Sequence, residues 1–175
     1  MSIASAVRRA ARLLKQTDQK VVFAESCTGG LVSGAMTAVP GISNYHCGAI
    51  VVYRNATKTD YLGIPRQMID KFDAVSAKVA GEMARRVLER TREADIGVSV
   101  TGHLGPEAPA DLDGVVFVGI ARKVFSTRAI AIENVIQLQC RRADSRKARQ
   151  RWVVQRVLEL LAEQLSDGGP RTNDK

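Results

Sequence analysis

The chain has 175 residues, of which 45% are apolar and only 5 are proline, a composition that argues against disorder and gives one folded domain enough apolar surface for a sizeable core. No apolar run approaches the ~20 residues needed to span a bilayer, and Met1-Ser2-Ile3-Ala4 leads into an amphipathic segment rather than a signal core, so a cytoplasmic protein without membrane contact is expected. The formal charge of +8 is uneven, because Arg141, Arg142, Arg146, Lys147, Arg149, Arg151 and Arg156 stand against Asp144 alone in one short stretch.

In chain order, Ile3, Val7, Ala10 and Leu14 recur at helical spacing, with Arg8, Arg9, Arg12 and Lys15 on other faces, which predicts a first helix. Lys20-Val21-Val22-Phe23-Ala24 reads as a short buried strand. It runs into Glu25-Ser26-Cys27-Thr28-Gly29-Gly30 and a helix to about Val39, stopped by Pro40-Gly41. A second strand over Gly48 to Tyr53 is expected to end in a polar loop, Arg54-Asn55-Ala56-Thr57-Lys58, before a short helix from Arg66 to Lys71. Ser76 has the character of an N-cap, followed by a long helix whose apolar face carries Val79, Met83 and Val87. Ile96 to Thr101 is a third strand ending in Gly102, and His103 to Asp113 is a loop. Val115 to Ala121 and Ser126 to Val135 form an antiparallel pair through Arg122-Lys123-Val124-Phe125. The last helix runs from about Asp144 to Leu165. Residues 1–166 are expected to form a single domain and 167–175 a disordered tail. The order implies a three-layer α/β/α sandwich around a mixed, mostly parallel sheet of about five strands.

In such sheets chemistry gathers beyond the carboxyl ends of parallel strands, where Ser26, Lys58 and Thr101 fall. Ser26 lies in a strand-to-helix turn, where a hydroxyl can stand exposed as in a nucleophile elbow, although no Gly-x-Ser-x-Gly is present. Gly29 and Gly30 sit at a helix start whose unpaired N–H groups suit a phosphate or an oxyanion. The alternative is a capping role for Ser26 and a packing role for the glycines. A serine needs a base. Neither His46 nor His103 lies in the first two strand-end loops, which leaves Lys58, a base only if burial or a cation such as Arg54 lowers its pKa and otherwise a surface lysine. Cys27 is the better nucleophile intrinsically, but adjacent side chains point apart, so only one of Ser26 and Cys27 should face the cleft. The three cysteines, Cys27, Cys47 and Cys140, fit neither a disulfide framework nor a zinc site, and two isolated histidines make a His-based metal centre unexpected. Carboxylate-bound magnesium stays open without support.

The ordered strings Ala24-Glu25-Ser26-Cys27-Thr28-Gly29-Gly30, Val39-Pro40-Gly41-Ile42-Ser43, Tyr53-Arg54-Asn55-Ala56-Thr57-Lys58, Leu62-Gly63-Ile64-Pro65, Ala74-Val75-Ser76 and Ala94-Asp95 to Thr101-Gly102 resemble the CinA C-terminal family over roughly residues 5 to 165. The resemblance implies an α/β/α fold and deamidation of nicotinamide mononucleotide to nicotinate mononucleotide and ammonia, with no metal or organic cofactor. It implies Ser26 as nucleophile and Lys58 as its base, with Tyr53 and Thr101 lining the site. Thr28, Gly29, Gly30, Gly102 and Gly105 offer substrate contacts, and Arg142 and Arg146 reach the phosphate or a neighbouring subunit. The N-terminal domain that some members carry is not expected here, nor is its activity. One departure stands out. Family members follow Thr-Gly with Ile-Ala-Gly-Pro-Gly-Gly and later Lys-Pro-Val-Gly, whereas this chain has His103-Leu104-Gly105-Pro106-Glu107-Ala108-Pro109-Ala110-Asp111-Leu112-Asp113-Gly114. Glu107, Asp111 and Asp113 would repel a phosphate if they faced the cleft.

The expected partners are a small nucleotide substrate and further copies of the chain in a homo-oligomer. Two other readings are a divergent or catalytically silent nucleotide-binding relative and a basic nucleic-acid-associated module. The last is disfavoured, since Trp152 is the only aromatic residue among the clustered arginines.

Overall fold

A computed structural model describes residues 2–124, 127 and 129–167. Its strands are β1 (Val21–Glu25), β2 (His46–Val51), β3 (Ile96–Gly102), β4 (Val115–Lys123) and β5 (Ile130–Gln139), and its helices are α1 (Ile3–Thr17), α2 (Leu31–Thr37), α3 (Asn55–Leu62), α4 (Arg66–Phe72), α5 (Ala77–Arg90) and α6 (Arg146–Asp167). The strands form one mixed sheet in the order β2-β1-β3-β4-β5. β1 pairs in parallel with β2 and β3, while β4 is antiparallel to β3 and β5. Four strands therefore run one way and β4 runs against them.

Alternation along the strands builds a core on each face of the sheet. Val21 and Phe23 of β1, with Val98 and Val118, meet α1, α2 and α6, whereas Val22 and Ala24 face the layer of α3, α4 and α5. The result is the three-layer α/β/α sandwich. α1 buries Ala6, Val7, Ala10, Ala11 and Leu14, is capped by the Ser2 hydroxyl accepting from the Ser5 amide, and ends at Asp18 in the left-handed region. Ser76 caps α5 as expected, accepting from the Val79 amide at 3.2 Å. None of the described helices is long and apolar enough to cross a membrane.

Several expected boundaries move. β2 covers His46–Val51 and leaves Tyr53 beyond its end, α2 stops at Thr37, and α6 begins at Arg146 rather than Asp144 and extends through Asp167. β4 continues to Lys123 and β5 runs Ile130–Gln139, so the antiparallel pair lies further along the chain than its apolar pattern indicates. The expected strand start at Ser126 and the tail beyond Asp167 lie outside the described residues. The larger correction is α3, expected as a polar loop. Its sequence lacks an apolar period because one of its two buried positions, i and i+4, is Lys58 and the other Leu62. Local signals nevertheless support a helix: the Arg54 amide donates to Thr57 Oγ1 at 3.2 Å, and Gly63, at φ +71°, returns its amide to Thr59 O.

α5 lies unusually close to β3 and β4 because two glycines admit it. A Cβ at Gly97 would come within 2.3 Å of Ala84 O, and one at Gly119 within 2.5 Å of Ala80 O. Ser99 Oγ, between them, donates to Ala80 O at 2.6 Å. Gly119→Ala should therefore lift α5 off the sheet and destabilise the protein by about 1–3 kcal/mol in urea unfolding. An unchanged midpoint would show that the contact yields.

Candidate active site

The site starts where β1 leaves the sheet. The Ser26 amide donates to Val100 O at 3.0 Å, extending the β1 to β3 ladder by one bond before the chain turns toward α2. What holds the turn is the preceding residue. Glu25 is fully buried, and its carboxylate accepts from Thr28 Oγ1 (2.7 Å) and from the amides of Gly30 (2.9 Å), Val32 (3.2 Å) and Ser33 (2.8 Å). An anion at a helix start satisfies donors that would otherwise be orphaned. Here the protein supplies that anion itself. The Gly29 amide meanwhile donates to Ser26 O. The Thr28 hydroxyl and the Gly29 and Gly30 amides are thus engaged, which corrects the expectation of an open anion cradle built from them at this helix start. The alternative of a capping Ser26 is corrected as well, since Glu25 does the capping. A carboxylate at the end of a strand, five to eight residues before the first amides of a helix, was the signal for this role.

Lys58 reaches the turn from α3. Its Nζ donates to Ser26 Oγ at 3.2 Å and to Val52 O at 3.0 Å, and the residue is 1% exposed. No acidic side chain among the described residues forms an ion pair with it. Burial lowers its pKa below the ordinary lysine value, and the charges of Cys27 and Asp73 oppose that shift without cancelling it. Cys27 turns the other way, into the core shared with α1 and α6, where burial above all pushes its thiol pKa up to about 12. Of the two neighbours, Ser26 is the one beside the buried amine of Lys58.

α6 and the strand-end loops close around the turn. Gln150 Nε2 donates to Cys27 O at 3.2 Å, a contact that sequence reasoning missed. Arg146 donates to Tyr53 OH at 2.9 Å and to Gly105 O at 2.5 Å, joining the segment after β2 to the loop after β3. Tyr53 itself is exposed. Thr101, expected to line the site, is buried and donates its hydroxyl to Ala74 O at 2.9 Å. Gly102 sits against Val116, where a Cβ would come within 2.5 Å of its side chain. Arg142 is exposed and donates to Ala110 O at 3.3 Å. Arg142, Arg146 and Arg149 line one pocket of about 360 Å³ together with Gly105 and Asp113.

The divergent loop is fastened by an ion pair not foreseen from the sequence. Arg149, 5% exposed, makes a bidentate contact with Asp113 at 2.6 and 3.0 Å and donates to the carbonyls of Arg141 and Arg142. The hydrogen bond from Arg149 holds the Asp113 carboxyl below the usual carboxylate range. Its charge is matched, so the expected repulsion of a phosphate does not arise from Asp113. Glu107 and Asp111 are exposed.

Fold and site together define an α/β/α domain carrying a buried serine–lysine pair at the carboxyl end of its parallel strands. The model of the CinA C-terminal domain matches residues 3–165, and the chain belongs to that family. Among curated relatives, it is 45% identical over 112 residues to a putative competence-damage inducible protein of Halothermothrix orenii, covering 63% of this chain and 27% of that one. It is likewise 45% identical over 114 residues to a CinA-like protein of Chlorobium limicola, covering 64% and 26%. The chain thus spans about a quarter of the length of these relatives. The crystal structure of the competence/damage inducible protein CihA from Agrobacterium tumefaciens superposes with a TM-score of 0.80 at 32% identity, over 94% of this chain and 95% of that one. A CinA superfamily protein from Klebsiella pneumoniae gives 0.84 at 22% identity, over 95% and 99%, and shows the shared fold.

Removing the buried anion tests the turn. Glu25→Ala leaves the Thr28 hydroxyl and three amides without their acceptor and should cost about 3 kcal/mol or more in urea unfolding. Glu25→Gln, which turns an acceptor into a donor facing N–H groups, should also destabilise. Wild-type stability in both variants would show that solvent replaces the carboxylate.

Proposed function

We propose that this chain is an amidohydrolase that deamidates nicotinamide mononucleotide to nicotinate mononucleotide and ammonia. The observation that carries the reading is the buried contact between Ser26 Oγ and Lys58 Nζ at 3.2 Å. Neutral Lys58 accepts the hydroxyl proton while a hydrogen bond to Val52 O keeps its nitrogen in place. The Ser26 oxygen then adds to the carboxamide carbon, and the carbonyl electron pair moves onto oxygen. The amides of Cys27 and Thr28, which follow Ser26 and have no backbone acceptor among the described residues, are the donors offered to that oxyanion. The tetrahedral species collapses with transfer of the proton from Lys58 to nitrogen, expelling ammonia and leaving an ester on Ser26. Water, deprotonated by Lys58, attacks the ester, and the proton returns to Ser26 as the acid departs. The pocket lined by Arg142 and Arg146 supports a role in holding the substrate phosphate.

An ammonia-release assay on nicotinamide mononucleotide tests this. Ser26→Ala should abolish turnover in a protein that stays folded by circular dichroism, and Cys27→Ala should keep most of it. A dead cysteine variant beside a working serine variant would overturn the assignment. Arg142→Ala should raise KM more than it lowers kcat, and should leave a substrate without phosphate unaffected. Arg146→Ala should change both parameters, because it also releases Tyr53 and Gly105.

The pH dependence has a definite sign. The active form of Lys58 is neutral and its pKa is lowered, so activity should rise with pH along a limb whose midpoint lies below the ordinary lysine value. For the same group, the unfolded chain binds more protons than the folded one between the lowered and the ordinary pKa, so stability also rises with pH across that window. Lys58→Met should lower activity by about 10²–10⁴-fold, remove the rising limb, and raise the melting temperature at neutral pH. A variant that loses both activity and stability would show that the buried amine is structurally required.

A further inference from the structure

A groove on the outer helical layer, lined by neither Ser26 nor Lys58, has the make-up of a docking site. Its larger part, about 820 Å³, is walled by Ile3 and Val7 of α1, Ala35 of α2, Val39, Pro40 and Trp152 of α6. A second depression of about 350 Å³ continues it along α1 through Ala11 and Ile42 to Tyr45, sharing Arg8, Val39 and Pro40 with the first. Together they follow α1 from Ile3 to Lys15, which at 1.5 Å per residue is ~18 Å.

The charges around this groove are all of one sign. Arg8, Arg12, Lys15 and Arg151 line it, and no acidic residue does. None of the four forms a salt bridge among the described residues, whereas Arg85, Arg86, Arg122, Arg149 and Arg156 all do. Arg8, Arg12 and Lys15 follow an i, i+4, i+7 spacing, so they run as one stripe along α1, beside an apolar line that includes Val7 and Ala11. A basic stripe parallel to an apolar trough is the complement of an amphipathic helix whose apolar edge is flanked by acids. Trp152 and the arginines are the residue types that most often anchor such contacts. A second copy presenting the same face would bring like charges together, and a flat anionic membrane would not enter a trough.

We infer that this groove is a docking site for an acidic amphipathic helix of a partner protein. The inference is independent of the chemistry proposed for Ser26, and the two can fail separately.

The probe is a labelled peptide of about 14 residues with leucines at i, i+3, i+4 and i+7 and glutamates on the flanking positions. It is titrated against the full chain by fluorescence anisotropy, with Trp152 emission as a second signal. Controls are the same composition in scrambled order, a lysine-for-glutamate version, phosphatidylglycerol vesicles and a single-stranded oligonucleotide. The expected result is saturable binding of the acidic amphipathic peptide, at least about tenfold tighter than either control peptide. The double variant Arg8→Glu with Arg12→Glu should weaken it by about tenfold or more. Ala38→Glu, at an exposed position lining the trough, should weaken it comparably while ammonia release stays at the wild-type level. Equal binding of the scrambled peptide, binding indifferent to these substitutions, or preferential binding of vesicles or oligonucleotide through the same residues would overturn the assignment.

Discussion

The Glu25 carboxylate joins the end of β1 to the start of α2, and the site is arranged around it. Glu25 forms no salt bridge among the described residues, and a fully buried carboxylate is tolerable only if hydrogen bonds replace its hydration, which four donors from the next eight residues do. Because those donors come from successive positions of one turn, the carboxylate determines the path of the chain through Ser26. It also consumes the positive end of the α2 dipole. A phosphate therefore gains nothing from this helix start.

Lys58 is the opposite case. Its amine is buried against a carbonyl and a hydroxyl, neither of which carries a charge, so desolvation is not offset by an ion pair and the neutral form gains. That shift matches the needs of a base acting on a serine hydroxyl. Cys27, one residue away, experiences burial with the reverse consequence, because for a thiol the neutral form is the unreactive one. One environment thus favours the serine pair and disables the intrinsically stronger nucleophile beside it.

Two groups of basic residues differ in what surrounds them. Arg146 and Arg149 are committed to internal contacts that hold the loops after β2 and β3 against α6, and the acid at position 113 serves as the counter-charge of Arg149. In the family's pattern this stretch carries lysine, proline and small residues. Here an acidic loop and a buried arginine compensate each other, so the departure leaves the fold in place. The cations along α1 and at Arg151, which form no salt bridge among the described residues, make up the second group and line the apolar groove.

Much of the architecture was legible in the chain because it rests on local signals. Buried strands read as apolar runs, α1 and α5 as amphipathic periods, Ser76 as a cap, and the order of elements as a layered sheet. The resemblance of the Glu25 to Gly30 string, together with the Tyr53 to Lys58 string, singled out Ser26 and Lys58, which the fold then brings within 3.2 Å. Other features depend on contacts across long separations, and no local pattern encodes them. α3 escaped notice because its inward face is built on a lysine, a residue whose burial becomes apparent only when β1 and the turn are packed above it. Arg146 meets Tyr53 across 93 residues, and Arg149 meets Asp113 across 36. Burial, and with it the pKa of Lys58 and the pairing of each arginine, is a property of assembled layers, so the residue types came from the sequence and their protonation and partners from the tertiary structure.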